Sequence, residues 1–257
     1  MAFVSPLIQK GDFFMSNLNN KQSSVIKIKM LCMAALFCAI AIASTYIMHI
    51  KVMFLTFDAK DAIITIAGLL FGPVYSVSIS LVVSVVEFIT IGDAGFWGFL
   101  MDFLSTALFS TVCALIYKYK KNIKGAVIGL VSAIFAMTAF MLLFNLFIVP
   151  IYTPNFTTAA VAKMVPTLFL PFNLTKATLN AAIVLILYKP ASTAMKAARI
   201  LPSHSMSQKA DSTMTPEEKK RKNLKFSLIV TGIGLLVAVL CVVVFFVFLN
   251  GEIGFFS

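Results

Sequence analysis

Charged residues are scarce in this chain. They make up 12% of its 257 residues, while 60% are hydrophobic. An ordinary soluble domain carries about twice that charged fraction, so a soluble globular fold is excluded and a multi-spanning membrane protein is implied. Histidine occurs only twice, at His49 and His204, which leaves little for a metal centre or acid–base catalysis. The four cysteines, Cys32, Cys38, Cys113 and Cys241, fall inside apolar stretches without paired spacing. They read as small buried hydrophobes, neither zinc ligands nor a disulfide framework. There is no G-x-x-x-x-G-K-[ST] phosphate loop and no Ser–His–Asp pattern, so the chain is expected to be non-catalytic and unable to hydrolyse ATP itself. Residues 1–24 are mixed and polar, with no sustained apolar core of the secretory-signal kind.

What the chain does have is apolar length. Stretches at about 28–50, 60–71, 73–91, 96–118, 125–150, 164–188 and 225–249 predict seven membrane segments. The second and third meet at Phe71-Gly72-Pro73, where Gly permits a tight turn and Pro opens the next helix. Twelve residues of helix span only about 18 Å, so the second segment must be tilted, irregular or buried by its neighbours. The chain thus divides into an N-terminal segment (1–26), a six-helix membrane domain (27–189), a linker (190–224), an additional C-terminal transmembrane helix (225–249) and a tail (250–257). The fold class is an all-α integral membrane bundle. The last helix carries no polar stripe and reads as an anchor or packing partner.

The net charge of +11 is a topology signal. Seventeen basic residues precede the first segment, link the fourth to the fifth, or link the sixth to the seventh; only four acidic residues accompany them. The opposite side holds four basic and six acidic residues. The positive-inside rule therefore assigns the N-terminus, Lys118–Lys124 and the 190–224 linker to the cytoplasm, and the tail to the exterior. Nucleic-acid binding is not required to explain the charge.

The polar residues of the membrane domain carry the functional signal. Asn173, Lys176 and Asn180 interrupt the apolar run 168–189 at offsets of three, four and seven, which places them on one helical stripe. A charge deep in a transmembrane helix costs a few kcal/mol and normally faces a protein interior, a pathway or a ligand. Snorkelling of Lys176 is the alternative. The link 54–61 combines Phe57 with Asp58, Lys60 and Asp61; either acid could instead cap the second helix. Glu87 reads as a site residue or an interfacial acid, and Trp97 as a ligand contact or part of an interfacial aromatic belt. The link Ile91-Gly92-Asp93-Ala94-Gly95 has the flexibility to pack over a ligand. Asp102 needs a partner, and Lys176 is taken as the only deep cation. Asn145 adds a third amide, suited like the others to a ligand rich in donors and acceptors. Ala35, Ala39 and Ala43 on the first helix, and Gly125 and Gly129 on the fifth, form small-residue stripes that serve either a partner or the bundle itself.

Several of these pieces together resemble a family. Asp61-Ala62-Ile63-Ile64, Leu70-Phe71-Gly72-Pro73, Gly95-Phe96-Trp97-Gly98-Phe99-Leu100-Met101-Asp102-Phe103 and Phe172-Asn173-Leu174-Thr175-Lys176-Ala177 look like the substrate-binding S component of energy-coupling factor (ECF) vitamin transporters, closest to the riboflavin-binding subfamily. The resemblance implies a six-helix bundle in a prokaryotic cell membrane, with no cofactor and with riboflavin as transported ligand. It implies a transmembrane scaffold subunit and two cytoplasmic ATPases as partners, with Ala35, Ala39 and Ala43 facing the scaffold. It also puts Asn173 and Lys176 in the ligand site, which Phe57, Asp58, Glu87, Trp97, Asp102, Asn145 and Asn180 would complete. Two positions depart from the pattern: Glu87 lies where riboflavin binders carry basic or amide residues, and Asp102 where they often carry Asn. The alternatives are another vitamin or small metabolite as ligand, or a membrane scaffold protein with none.

Overall fold

The computed structural model describes residues 28–197 apart from 49, 53–54, 92–94, 121–122 and 154–156, and beyond them only Gly232, Leu236 and Val239. All but these three residues of the expected seventh helix, the linker beyond 197 and the Gly92-Asp93-Ala94 link therefore lie outside the described residues. Helix α1 is Ile28–Ile47. A β-hairpin follows, β1 (Ile50–Val52) and β2 (Leu55–Phe57), antiparallel with Ile50 opposite Phe57. Then come α2 (Lys60–Phe71), α3 (Pro73–Thr90), α4 (Gly95–Tyr119), α5 (Ile123–Tyr152), α6 (Thr158–Met164) and α7 (Leu170–Ala197). A π-helical turn, Val165–Phe169, joins α6 to α7 without a break.

Five of these segments are long and apolar enough to cross a membrane, α6 and α7 counting as one. Large apolar side chains on α1, α3 and α5, among them Leu31, Val74, Phe135 and Phe147, point outward, as a lipid-facing surface requires. Helix α2 is the short exception. Nine of its twelve residues are buried, and it packs against α3, α4 and α7. Protein, not lipid, surrounds it.

Local sequence explains how α2 fits. Gly72 adopts φ +108°, a conformation L side chains rarely take, and its N–H donates to the Gly68 carbonyl at 2.8 Å. Pro73 then opens α3, where its missing N–H is no loss. At Gly68 a Cβ would lie 2.9 Å from that of Ser76 and 3.2 Å from that of Ala114, so α2 can nest between α3 and α4 only without a side chain there.

Two apolar cores result. The larger runs through α1, α2, α3, α4, α5 and α7 and contains Phe37, Ile64, Val83, Phe109, Met137 and Val184. The smaller joins Leu55 and Phe57 of the hairpin to Val149, Val161, Phe169, Phe172 and Leu179. Away from the hairpin, the Tyr117 and Tyr188 hydroxyls meet at 2.6 Å between α4 and α7. The sixth membrane segment is longer than its apolar run: it starts at Thr158, capped by the Thr157 hydroxyl, and continues through Pro190 to Ala197 instead of ending at 189. Helix α5 likewise passes through Pro150 to Tyr152. A single proline removes one backbone hydrogen bond and does not by itself end a helix.

Candidate functional site

The hairpin delivers Asp58, Lys60 and Asp61 to the point where α2 begins, and α7 meets them there. Asn180 makes the junction. Its Oδ1 accepts from the Ala62 N–H at 3.2 Å, while its Nδ2 donates to the carbonyls of Asp58 at 3.1 Å and Lys176 at 3.2 Å. This replaces the expected capping of α2 by Asp58 or Asp61. The cap residue is Ala59, which has no side-chain acceptor, and an amide from α7 satisfies the free N–H in its place. Both acids are thereby released for other partners.

Lys176 is buried, as its position on the stripe predicts, and does not snorkel. Its Nζ donates to Asp58 Oδ2 and to the Thr56 carbonyl, each at 3.2 Å, and lies 3.9 Å from Asp61 Oδ2. Asp61 Oδ1 in turn accepts from the Thr106 hydroxyl at 2.6 Å.

The expected pair between Asp102 and Lys176 is not formed. Asp102 pairs with Lys60 at 2.7 Å and accepts from the Ser84 hydroxyl at 2.8 Å. Lys60 is 2% exposed and is among the largest fully buried side chains described. It also pairs with Glu87 and lies 3.9 Å from Asp58. Glu87 accepts a second hydrogen bond, from Thr45 of α1, at 2.6 Å. It is a member of this network. Lys60 thus gathers carboxylates from α3, α4 and the hairpin exit, and it was not among the expected site residues.

Two signals in the sequence point to what was missed. Four membrane-domain carboxylates matched to one lysine leave the charges far out of balance, and Lys60 is the nearest remaining candidate. Ser76, Ser80 and Ser84 recur every four residues on α3, and all three are buried. The stripe logic that found Lys176 on α7 applies equally there.

The other expected residues separate into groups. Asn145 and Asn173 are buried, but each donates to a carbonyl of its own helix, Met141 at 2.6 Å and Phe169 at 2.8 Å. Asn145 Oδ1 has no partner. Phe57 sits in the smaller core, and Trp97 is half-buried against the larger one, edge-on to Phe96. Ala35, Ala39 and Ala43 lie on the exposed face of α1, two positions and therefore about 200° from the buried Phe37, Ala41 and Thr45. Gly129 belongs to the bundle: a Cβ there would stand 2.9 Å from the Cys113 carbonyl oxygen of α4. Among the described residues no cluster of His, Cys, Asp and Glu has the arrangement of a metal site.

Chemically, the arrangement is a set of two buried ammonium groups, the buried carboxylates of Asp58 and Asp61 and the partly buried ones of Glu87 and Asp102, anchored to five elements with the Asn180 amide beside them. It suits selective binding of a polar molecule within the membrane domain. Over 142 residues the chain is 28% identical to the riboflavin transporter RibU of Staphylococcus aureus (strain TCH60), a match covering 53% of this chain and 74% of that one. The fold matches a solved S component of a bacterial ECF transporter with a TM-score of 0.56 and 26% identity, covering 66% of this chain and 99% of the other. Residues 29–188 match the model of the substrate-specific component of ECF transporters, which is more than half of the chain. The protein belongs to that family and is the substrate-binding membrane component of an ECF-type transporter.

Proposed function

We propose that this component serves an ATP-driven importer and that riboflavin is its cargo. The observation that carries the binding reading is the Asp58–Lys176–Asn180 junction, where a buried ammonium, a carboxylate and an amide converge at the hairpin. Phe57, Trp97, Asn145 and Asn173 are the further aromatic and amide groups assigned to the ligand in this reading. Similarity to RibU supports riboflavin in particular. A second reading, an S component for another vitamin, is favoured by Glu87 and Asp102, which replace the basic or amide groups of the riboflavin pattern with acids.

The partners proposed are a transmembrane scaffold subunit, docking on the exposed Ala35-Ala39-Ala43 face, and two cytoplasmic ATPases. The N-terminus is placed in the cytoplasm, and the 225–249 segment is an additional membrane anchor outside the binding domain. Titration of the purified protein with riboflavin, followed by flavin fluorescence quenching, tests the ligand. The absence of quenching, with another vitamin bound in calorimetry, would transfer the proposal to the second reading. For the docking face, the Ala39→Trp variant is expected to bind ligand as the parent does, yet to lose ATP-dependent uptake and co-purification with the ATPases, because a large side chain blocks close helix approach. Parental uptake would place the alanine face elsewhere, and loss of ligand binding would mean that it packs the bundle.

A further inference from the structure

We infer that the site takes an uncharged or cationic ligand through N–H and O–H donors and excludes phosphorylated ones. This rests on the reading of the Lys60–Lys176 cluster as the ligand site.

Two buried lysines in a membrane domain would ordinarily suggest a receptor for anions. Their surroundings argue the reverse. Lys60 is already engaged by Glu87 and Asp102, with Asp58 at 3.9 Å. Lys176 is engaged by Asp58 and the Thr56 carbonyl, with Asp61 at 3.9 Å. Four carboxylates face two ammonium groups, a formal deficit of two positive charges. The neighbouring hydroxyl protons are committed as well: Thr45 donates to Glu87, Ser84 to Asp102 and Thr106 to Asp61.

A second observation, independent of the charge count, concerns acceptors. Asp58 Oδ1 is buried inside the cluster and receives no hydrogen bond. Asn145 Oδ1, on α5 one turn from the Val149 of the smaller core, is likewise buried and unpaired. Its orientation is set by the other end of the amide, since exchanging the two atoms would put oxygen against the Met141 carbonyl. Buried acceptors without donors are costly, and a ligand bearing N–H or O–H groups at the cluster relieves that of Asp58. A phosphate monoester would bring further acceptors and up to two more negative charges into a site already short of both donors and positive charge. Like charges placed together in a low-dielectric interior repel strongly. Selectivity then comes from repulsion of the wrong ligand as much as from attraction of the right one.

The test is calorimetric titration of the full-length protein with matched pairs: riboflavin and riboflavin 5′-phosphate, thiamine and thiamine monophosphate, pyridoxine and pyridoxine 5′-phosphate. Mass spectrometry of any small molecule released on denaturation accompanies it. Where an unphosphorylated member binds, its ester is expected to bind at least about 30-fold more weakly, roughly 2 kcal/mol. The Glu87→Gln/Asp102→Asn variant is expected to narrow that ratio by about tenfold, since each substitution removes one negative charge. An ester that binds as tightly as its parent vitamin, or an anionic molecule released from the protein, would overturn the inference while leaving the ligand-binding reading intact. An unchanged ratio in a folded variant would overturn the role of the two acids, and if the variant does not fold the parent protein's ratios decide. No binding across all pairs and no released molecule would instead remove the ligand-binding reading, and the inference with it.

Discussion

The two ends of the bundle solve the burial of polar groups in opposite ways. At the hairpin end, Asp58, Lys60, Asp61, Glu87, Asp102 and Lys176 form one network joining the hairpin, α2, α3, α4 and α7, with Thr45 of α1 attached through Glu87. At the other end, the Tyr117–Tyr188 hydroxyl pair is held among apolar contacts, and backbones approach closely at Gly129. Burying a charge is costly even when it is paired, whereas close packing and a single satisfied hydroxyl pair are not. A bundle selected only for stability would resemble the tyrosine end throughout. The difference supports the proposed placement of binding at the hairpin end.

Four substitutions would break or sharpen that contrast. The largest effect is expected for Lys60→Met, which leaves Glu87 and Asp102 without their buried cation. Removing one partner of such a pair costs about 3–5 kcal/mol. The detergent-solubilised variant should show a sharply lowered melting temperature, and a parental one would make Lys60 dispensable to the network.

Lys176→Met removes the ammonium that pairs with the buried Asp58, so it is expected to lower stability as well as ligand affinity, although Lys60 remains 3.9 Å from Asp58 and Asp61 retains its hydrogen bond from Thr106. Loss of a charged hydrogen bond to a buried partner corresponds to about 2–5 kcal/mol, or roughly 30-fold or more in affinity. A correctly inserted variant with unchanged affinity would remove Lys176 from the site.

The remaining two probe the tyrosine end and should leave affinity alone. Gly129→Ala forces a methyl group against the Cys113 carbonyl, and overpacking of this kind costs about 1–3 kcal/mol. Thermal unfolding should register the loss while the ligand titration does not. Tyr188→Phe deletes one hydroxyl of the pair and leaves that of Tyr117 buried without its partner, worth about 1 kcal/mol. A large change in ligand affinity in either variant would show that the two ends are coupled, and the division drawn above would fail.

How far the sequence reaches differs between these regions for a physical reason. Among the described residues, apolar length matched the first six segments to within a few residues, except that the sixth begins at Thr158 and α5 and α7 run on through Pro150 and Pro190. Helical periodicity found the Asn173–Lys176–Asn180 stripe because its members share one helix, and the structure buries all three. The short second segment was readable as a helix that lipid alone could not accommodate.

Pairing between helices was not readable in the same way. Periodicity states which side chains share a face; it does not state which faces meet. Whether Asp102 meets Lys176 therefore stays open in the sequence, and its partner is Lys60; Asn180 was placed among ligand groups when it also caps α2 from across the bundle. The sequence by itself determined a multi-spanning membrane domain, the asymmetry of its charges and the presence of buried polar stripes, because these follow from local composition and spacing. Only the tertiary structure decided which acid answers which lysine, and that α2 is enclosed by α3, α4 and α7. Those outcomes depend on contacts between residues up to about 120 positions apart, such as Lys176 with Thr56 and Asn180 with Asp58, and no local pattern encodes them.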